Sequence, residues 1–129
     1  MPARSPEEVD QMFEKCLNAG DVEGLVALYE PDATLVPSPG QPVTGTAAIR
    51  EAIQGFIAMK PQIDLKVEQT LRASDDLAVC YGAWTMKTGD QEMKGKSAEV
   101  VRRQADGTWL FAIDDPYCRS MEAGAQTAE

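Results

Sequence analysis

The sequence predicts one α+β domain in which three N-terminal helices pack over a curved antiparallel sheet and enclose a pocket. Apolar residues before Pro61 recur with a helical period of about 3.6 residues. After Pro61 they alternate with polar residues, which is the period of a strand. Helices followed by an antiparallel meander are typical of an α+β domain. With 129 residues and 43% hydrophobic content, the chain has enough apolar material for one core.

The predicted helices have recognisable ends. Ser5 is typical of a helix cap and Pro6 of the first helical position. Gly20 ends this helix, and Asp21 caps a second, short one. A third helix is predicted over about 46–59. The apolar stripe of the first helix consists of Val9, Met12, Phe13, Cys16 and Leu17.

The strands follow from alternation and turn signals. Asp106-Gly107 is a strong hairpin signal. The strand at 77–87 is apolar on both faces and is therefore expected to be central. The predicted strands are 33–36, 63–71, 77–87, 98–103 and 109–115, with a loop at 37–40. We place the domain at residues 1–118 and predict a mobile tail at 119–129, which has little to bury.

The composition argues against several functions. The net charge is −9 and the basic residues are scattered, so nucleic-acid binding is not expected. No stretch approaches the roughly 18–20 apolar residues of a membrane span, and the start has no apolar signal segment. These features predict no membrane association and a cytoplasmic location.

The chain contains no histidine, which removes Ser-His-Asp and Cys-His catalysis and the commonest metal ligand. Cys16, Cys80 and Cys118 have no CxxC spacing and are interpreted as reduced thiols rather than zinc ligands. Proton transfer would fall to Asp, Glu, Lys, Tyr or Cys. No metal and no cofactor is predicted.

Four segments carry a family resemblance. They are LNAGDVEGLVALY at 17–29, DAT at 32–34, GTAAIRE at 45–51 and DGTWLFAIDDPY at 106–117. Together they resemble the nuclear transport factor 2-like superfamily, closest to its ketosteroid isomerase and SnoaL-like branch. The resemblance implies helices on a strongly curved antiparallel or mixed sheet, forming a cone with an internal pocket. The superfamily includes isomerases, dehydratases, cyclases, epoxide hydrolases and proteins without catalysis, so it leaves the activity open.

The resemblance disfavours steroid isomerisation. Phe13 occupies the place of the oxyanion tyrosine of ketosteroid isomerase, and Pro37 lies near that of its general base. Glu99 occupies the place of its oxyanion aspartate. SnoaL-like cyclases use an acidic residue in the final strand, which corresponds to Asp114. Ser97 stands where the arginine of limonene epoxide hydrolase would be expected.

Strand parity then predicts a pocket around two carboxyls. Glu99 and Asp114 are expected on one face of the closing hairpin, and two carboxyls in a dry pocket cannot both ionise cheaply. Asp114 is therefore the predicted catalytic base and Glu99 the predicted acid. The predicted substrate-binding residues, some from parity and some from the resemblance, are Phe13, Gly82, Trp84, Met86, Val101, Leu110 and Ala112.

These assignments have structural alternatives. Asp114 could end its strand in a turn, binding local backbone N–H groups. Glu99 could form a cross-strand ion pair with Lys87 or Arg103. Trp84 and Met86 could belong to the core rather than to a binding site.

Three functions remain open. The first is cofactor-independent isomerisation, dehydration or cyclisation of a small hydrophobic carbonyl or hydroxylated compound. The second is a non-catalytic carrier of such a molecule. The third is a dimerisation module whose pocket is filled by its own side chains.

The last strand also predicts a homodimer that packs sheet to sheet. Parity assigns Trp109, Phe111 and Ile113 to the face opposite the pocket, together with Tyr81 of the central strand. An apolar outer face of this kind needs cover, either from a second copy or from the tail or first helix of the same chain.

Overall fold

A computed structural model describes residues 3–117 as a mixed six-stranded sheet with three helices. The predicted tail at 119–129 and Cys118 lie outside the described residues. Within 3–117, no helix is both long and apolar enough to span a membrane. The elements are α1 (Pro6–Ala19), α2 (Val22–Val26), β1 (Tyr29–Ser38), β2 (Gln41–Thr44), α3 (Thr46–Ala58), β3 (Gln62–Ala73), β4 (Leu77–Thr88), β5 (Gln91–Arg103) and β6 (Trp109–Asp115).

The strand order across the sheet is β2-β1-β6-β5-β4-β3. β1 runs parallel to β6, and all other neighbours are antiparallel. The predicted α+β class with a mixed sheet is confirmed. The predicted loop at 37–40 is wrong in part, because β1 continues to Ser38 and β2 pairs back on it. Proline is tolerated here because the pairing of β1 with each of its neighbours is irregular around Pro31 and Pro37.

The ends of α1 form as predicted. The Ser5 hydroxyl accepts a hydrogen bond from the Glu8 N–H at 3.3 Å, with Pro6 in the first turn. Gly20 closes the helix in the left-handed conformation, at φ 72°. These two caps fix the ends of α1, whose apolar face rests on the inner surface of the sheet. The core between helices and sheet is formed by residues such as Val9, Leu25, Ile49, Ile53, Val101 and Phe111.

A β-bulge reverses the side-chain alternation in β6. The pairing of β5 with β6 shifts between Val100 and Val101, which leaves Ala112 as the extra residue. Phe111 and Ile113 would share a face in a regular strand. Instead Phe111 is buried in the core, while Ile113 is 45% exposed on the outer face.

The bulge corrects two predictions. Trp109 and Phe111 do not face outward, because both are buried on the inner side. Leu110 and Ala112 do not face the pocket, because the extra residue turns them toward the opposite face, where they are only partly buried.

A second bulge lies in β3. Its pairing with β4 shifts between Val67 and Gln69, with Glu68 as the extra residue. Ile63 therefore packs against the core, whereas Leu71 is exposed on the outer face. The simple alternation predicted from Ile63 to Leu71 does not hold through this point.

Candidate functional site

Two acidic residues meet on the inner face of the sheet, where β5 and β6 pair. Glu99 lies directly opposite Asp114 in the register, on the regular side of the β6 bulge. Their side chains are 3% and 4% exposed and line the same internal cavity. The structure thus brings together the two carboxyls that the sequence predicts as acid and base, while their roles in a reaction stay a prediction.

A third carboxyl, Asp10 of α1, joins this pair. Asp10 is 2% exposed and lines the same cavity as Glu99 and Asp114. The sequence does contain a signal for it. Asp10 stands three residues before Phe13 and seven before Leu17, which is the spacing of the buried face of α1.

The cavity itself is small and largely apolar. Its volume is about 20 Å³, which is room for about one water molecule. Its non-carboxyl walls are Phe13, Leu65, Trp84, Ser97, Phe111 and Pro116. A group that ionises in this space loses nearly all of its hydration.

Trp84 closes one side of the cavity. Its indole Nε1 donates to the carbonyl oxygen of Pro116 at 2.6 Å, and its ring packs edge-on against Tyr117 with centroids 5.9 Å apart. Gly95 lies directly across the β4–β5 pair and gives the indole its space. A Cβ at Gly95 would lie 2.5 Å from the indole.

Tyr29, at the start of β1, is tied to Asp114. Its hydroxyl donates to Asp114 Oδ2 at 2.5 Å, and its ring packs against Phe111 with centroids 4.9 Å apart. Burial, followed by the charge of Asp114, raises the pKa of Tyr29 well above its usual value of 10. Tyr29 therefore acts as a hydrogen-bond donor at neutral pH. Sequence reasoning assigned it no role, because the parallel contact of β1 with β6 joins distant parts of the chain.

Burial raises the pKa values of all three carboxyls. It raises the pKa of Asp10 to about 6 and that of Asp114 to about 7, the Tyr29 hydrogen bond opposing the rise at Asp114. The pKa of Glu99 is raised well above its usual range, first by burial and then by the charges of Asp10 and Asp114. Since each ionised carboxyl disfavours ionisation of the others, the cluster loses its protons in steps.

Three oxygens in the cluster have no conventional hydrogen-bond donor or acceptor among residues 3–117. They are Asp10 Oδ2, Glu99 Oε1 and Ser97 Oγ. All three belong to residues that line the same cavity. Within the described residues, no group of three or more acidic or thiol side chains has an arrangement that would hold a metal ion.

The alternatives for the two predicted catalytic residues are wrong. Arg103 does not pair with Glu99, because it forms a salt bridge with Asp76 at 2.8 Å. Lys87 lies opposite Glu92 at the far end of the hairpin.

The turn that follows β6 is held by the next residue instead of Asp114. Asp115 Oδ1 accepts the backbone N–H of Tyr117 at 3.2 Å. The side chain of Asp114 points inward and accepts from Tyr29.

The remaining predicted site residues divide into two groups. Phe13 and Trp84 line the cavity, and Gly82 lies beside it, where a Cβ would approach Ser97 Oγ to 2.9 Å. Val101 is buried in the core and Met86 is partly buried, but neither lines the cavity. Phe111 takes the place predicted for Leu110 and Ala112.

Comparison with solved structures shows the same fold at low identity. A putative calcium/calmodulin-dependent protein kinase type II association domain from Thiobacillus denitrificans superposes with a TM-score of 0.76 at 18% identity, covering 89% of this chain and 95% of that chain. A putative scytalone dehydratase from Novosphingobium aromaticivorans gives 0.75 at 18%, covering 86% and 79%. A ketosteroid isomerase-like protein from Erwinia carotovora atroseptica gives 0.67 at 19%, covering 84% and 88%.

The fold comparison identifies a broad superfamily, and the match of the sequence to a family narrows this assignment. The SnoaL-like domain matches residues 9–115, which contain every element from α1 to β6 apart from the first turn of α1. The match therefore includes the three carboxyls and the cavity between them. This chain belongs to the SnoaL-like domain family, within the nuclear transport factor 2-like fold.

Proposed function

We propose that this chain is a small-molecule pocket protein that carries out cofactor-independent acid–base chemistry on a hydrophobic carbonyl or hydroxylated compound. The observation that supports this most is the convergence of Asp10, Glu99 and Asp114 in one buried cavity. Carboxyls with strongly perturbed pKa values in an enclosed space are typical of acid–base sites. The reaction classes that fit are isomerisation, dehydration and cyclisation.

In this proposal Asp114 is the base. Its pKa of about 7 leaves a large ionised fraction at neutral pH, and a base is most effective when its pKa lies near the working pH. The Tyr29 hydroxyl holds one carboxyl oxygen, which leaves the other to accept a proton from substrate.

Glu99 is the acid. Its raised pKa keeps it protonated at neutral pH, so it can donate a hydrogen bond or a proton to an oxygen that becomes negative in the transition state. A base and an acid in such positions each contribute about 10²–10⁴ in rate.

The walls indicate the class of substrate. Phe13, Leu65 and Phe111 present apolar surface beside the carboxyls, which suits a small hydrophobic compound with one oxygen to be protonated. Because the cavity has room for about one water, substrate binding requires a wall to move. The contact between Trp84 and Pro116 is the wall we expect to open, since one hydrogen bond fixes it.

The neighbours by fold give limited support to these classes. One is named as a putative scytalone dehydratase and another as a ketosteroid isomerase-like protein. At 18% and 19% identity the likeness extends to the fold alone. Steroid isomerisation stays disfavoured here, because Phe13 has no hydroxyl to donate.

The test is the exchange of carbon-bound hydrogen for deuterium in a candidate substrate, which needs no knowledge of the final product. A panel of small ketones, hydroxyketones and cyclic enones is incubated with the protein in D₂O, and deuterium incorporation is followed by NMR. We expect exchange for at least one compound, and Asp114→Asn should abolish it. Asp75→Asn, at an exposed turn, is the matched control and should retain full activity. Exchange that survives in Asp114→Asn would remove this residue from the mechanism.

A second candidate is a carrier that binds the same compounds without turnover. The short Tyr29–Asp114 hydrogen bond favours it, because it engages the proposed base. A carrier predicts that ligand raises the melting temperature with no exchange, and that Trp84→Ala weakens affinity more than Asp114→Asn does. A larger loss of affinity in Asp114→Asn than in Trp84→Ala would favour the enzyme.

We also propose a homodimer that packs through the outer face of the sheet, in the cytoplasm. Leu71, Tyr81 and Ile113 are exposed on this face of neighbouring or nearby strands. Exposed large apolar side chains grouped on one face are characteristic of a protein interface. The version of the dimer that places Trp109 and Phe111 at the contact is excluded by their burial.

A further inference from the structure

Two spaces meet at α1. One is the closed cavity between the carboxyls, and the other is an open groove of about 500 Å³ between α1 and β3. The groove is lined by Glu7, Asp10, Gln11 and residues 65–70. Asp10 and Leu65 are the two residues that line both spaces, so together they form the partition between them.

The two partition residues differ in chemistry. Leu65 is apolar and cannot carry a proton. Asp10 can, because it lines the cavity together with Glu99 and also lines the groove. Asp10 is thus the titratable group that links the buried pair to the groove.

The opposite wall offers a poorer route. It consists of the Trp84 indole, hydrogen-bonded to the Pro116 carbonyl. An indole N–H and a peptide carbonyl do not release or take up protons near neutral pH. The Tyr117 phenol packs outside this wall, and burial raises its pKa above 10.

We propose that Asp10 is the proton port of the buried site, passing protons between the Glu99 carboxyl and water in the groove between α1 and β3. The Glu99 O–H bond breaks as an O–H bond forms on the Asp10 carboxylate, and protonated Asp10 then gives this proton to water in the groove. Uptake is the reverse. The proposal rests on the acid–base site proposed above and gives Asp10 a positioning role, since it acts through Glu99.

The groups around Asp10 are compatible with proton transfer from Glu99 toward the groove. On the groove side, Glu7 lies one turn earlier on α1, and a hydrogen bond with Thr70 chiefly lowers its pKa, so it is an ionised proton acceptor. Burial raises the pKa of the nearby Cys80 thiol to about 11, so it does not compete for protons. Asp10 has titratable or charged neighbours on five elements. They are Glu7 on α1, Lys66 and Glu68 in the lining of the groove on β3, Cys80 on β4, Glu99 on β5 and Asp114 on β6, with its partner Tyr29.

The experiment uses the protein alone. After rapid transfer from H₂O to D₂O, the infrared C=O stretch of the buried protonated carboxyl reports the exchange of its proton, with Glu99→Gln assigning the band. We expect Asp10→Asn to slow this exchange by about a hundredfold, the scale of a lost proton-transfer group, and Asp10→Glu to restore it. Glu51→Gln, exposed on α3, is the control and should leave the rate unchanged.

Two further variants locate the route. Gln11→Trp places a bulky side chain at the lining of the groove and keeps all three cavity carboxyls in the sequence, and it should also slow exchange. Tyr117→Phe removes the phenol hydroxyl from the ring that packs against Trp84, without changing a cavity-lining residue, and should leave the rate unchanged. Wild-type exchange in either Asp10→Asn or Gln11→Trp, or slower exchange in Tyr117→Phe, would overturn the port. The measurement involves no substrate, so it can support the port even if the protein shows no turnover. If the port is refuted, the acid–base proposal is still tested separately by the deuterium incorporation into substrate.

Discussion

Replacing Asp114 by Asn should change the stability of the protein in a way that depends on pH. Burial raises the pKa of Asp114 from 3.8 to about 7. The folded protein therefore binds more protons than the unfolded chain between pH 4 and pH 7, approximately. The free energy of unfolding must fall as pH rises through this range, and it levels off above the folded pKa. This sign is opposite to that of a salt-bridged carboxyl.

The magnitude follows from the two pKa values. For a single group, linkage gives a destabilisation of about 1 kcal/mol at pH 4.5 and about 4 kcal/mol at pH 8. Asp114→Asn removes this cost, because Asn does not ionise. Its Oδ1 still accepts the Tyr29 hydroxyl, but its new N–H₂ has no assured acceptor, which costs about 1–3 kcal/mol at every pH. The difference between the two pH values, about 3 kcal/mol, is therefore the diagnostic quantity.

The assay is urea unfolding from pH 4.5 to 8, followed by tryptophan fluorescence, for the wild type, Asp114→Asn and an exposed control, Asp32→Asn. We expect the wild type to lose stability with rising pH and the Asp114→Asn curve to be flatter, so that the variant gains on the wild type toward pH 8. The control should run parallel to the wild type. A difference between Asp114→Asn and the wild type that is the same at all pH values would refute the reasoning about burial.

Two other predictions follow from the packing of the sheet. Gly95→Ala should destabilise the protein by about 1–3 kcal/mol and shift the fluorescence of Trp84, because the new methyl group overlaps the indole. Gly55→Ala is its control, since a Cβ there has open space in the middle of α3, and it should stabilise by about 0.5–1 kcal/mol in the same unfolding experiment. Ile113→Glu should convert the proposed dimer to monomer in sedimentation equilibrium without loss of helix signal, and Tyr81→Glu should do the same. Dimers that persist in both variants would show that the outer face is not the contact.

The elements predictable from the sequence are those set by neighbouring residues. The cap at Ser5 and the stop at Gly20 define α1 because both act on the backbone within a few positions. The prediction that Glu99 and Asp114 share one face of the sheet is also correct. They lie on the regular side of the β6 bulge, so simple alternation across a hairpin was enough.

The parts that could not be predicted depend on contacts between distant segments. Ala112 looks like any strand residue, and its role as the extra residue becomes visible only when β5 and β6 are paired. Tyr29 reaches Asp114 through a parallel pairing across most of the chain. Asp10 carried a local signal in its helical spacing, but a single acidic residue on an apolar stripe is ordinarily expected to face solvent.

The energetics of the cluster distinguish it from the rest of the core. Asp10, Glu99 and Asp114 are nearly inaccessible to water, and no cation is among the described residues that line their cavity. An unpaired buried carboxyl weakens a fold, and amide or apolar side chains of similar size would serve packing better. Three buried carboxyls are therefore unfavourable for packing alone, and the acid–base function proposed above would account for them. A buried acid–base pair also needs proton exchange with solvent to reach its working protonation state. In the proposed port, Asp10 would supply that exchange without opening the cavity to water, because it lines both the cavity and the groove.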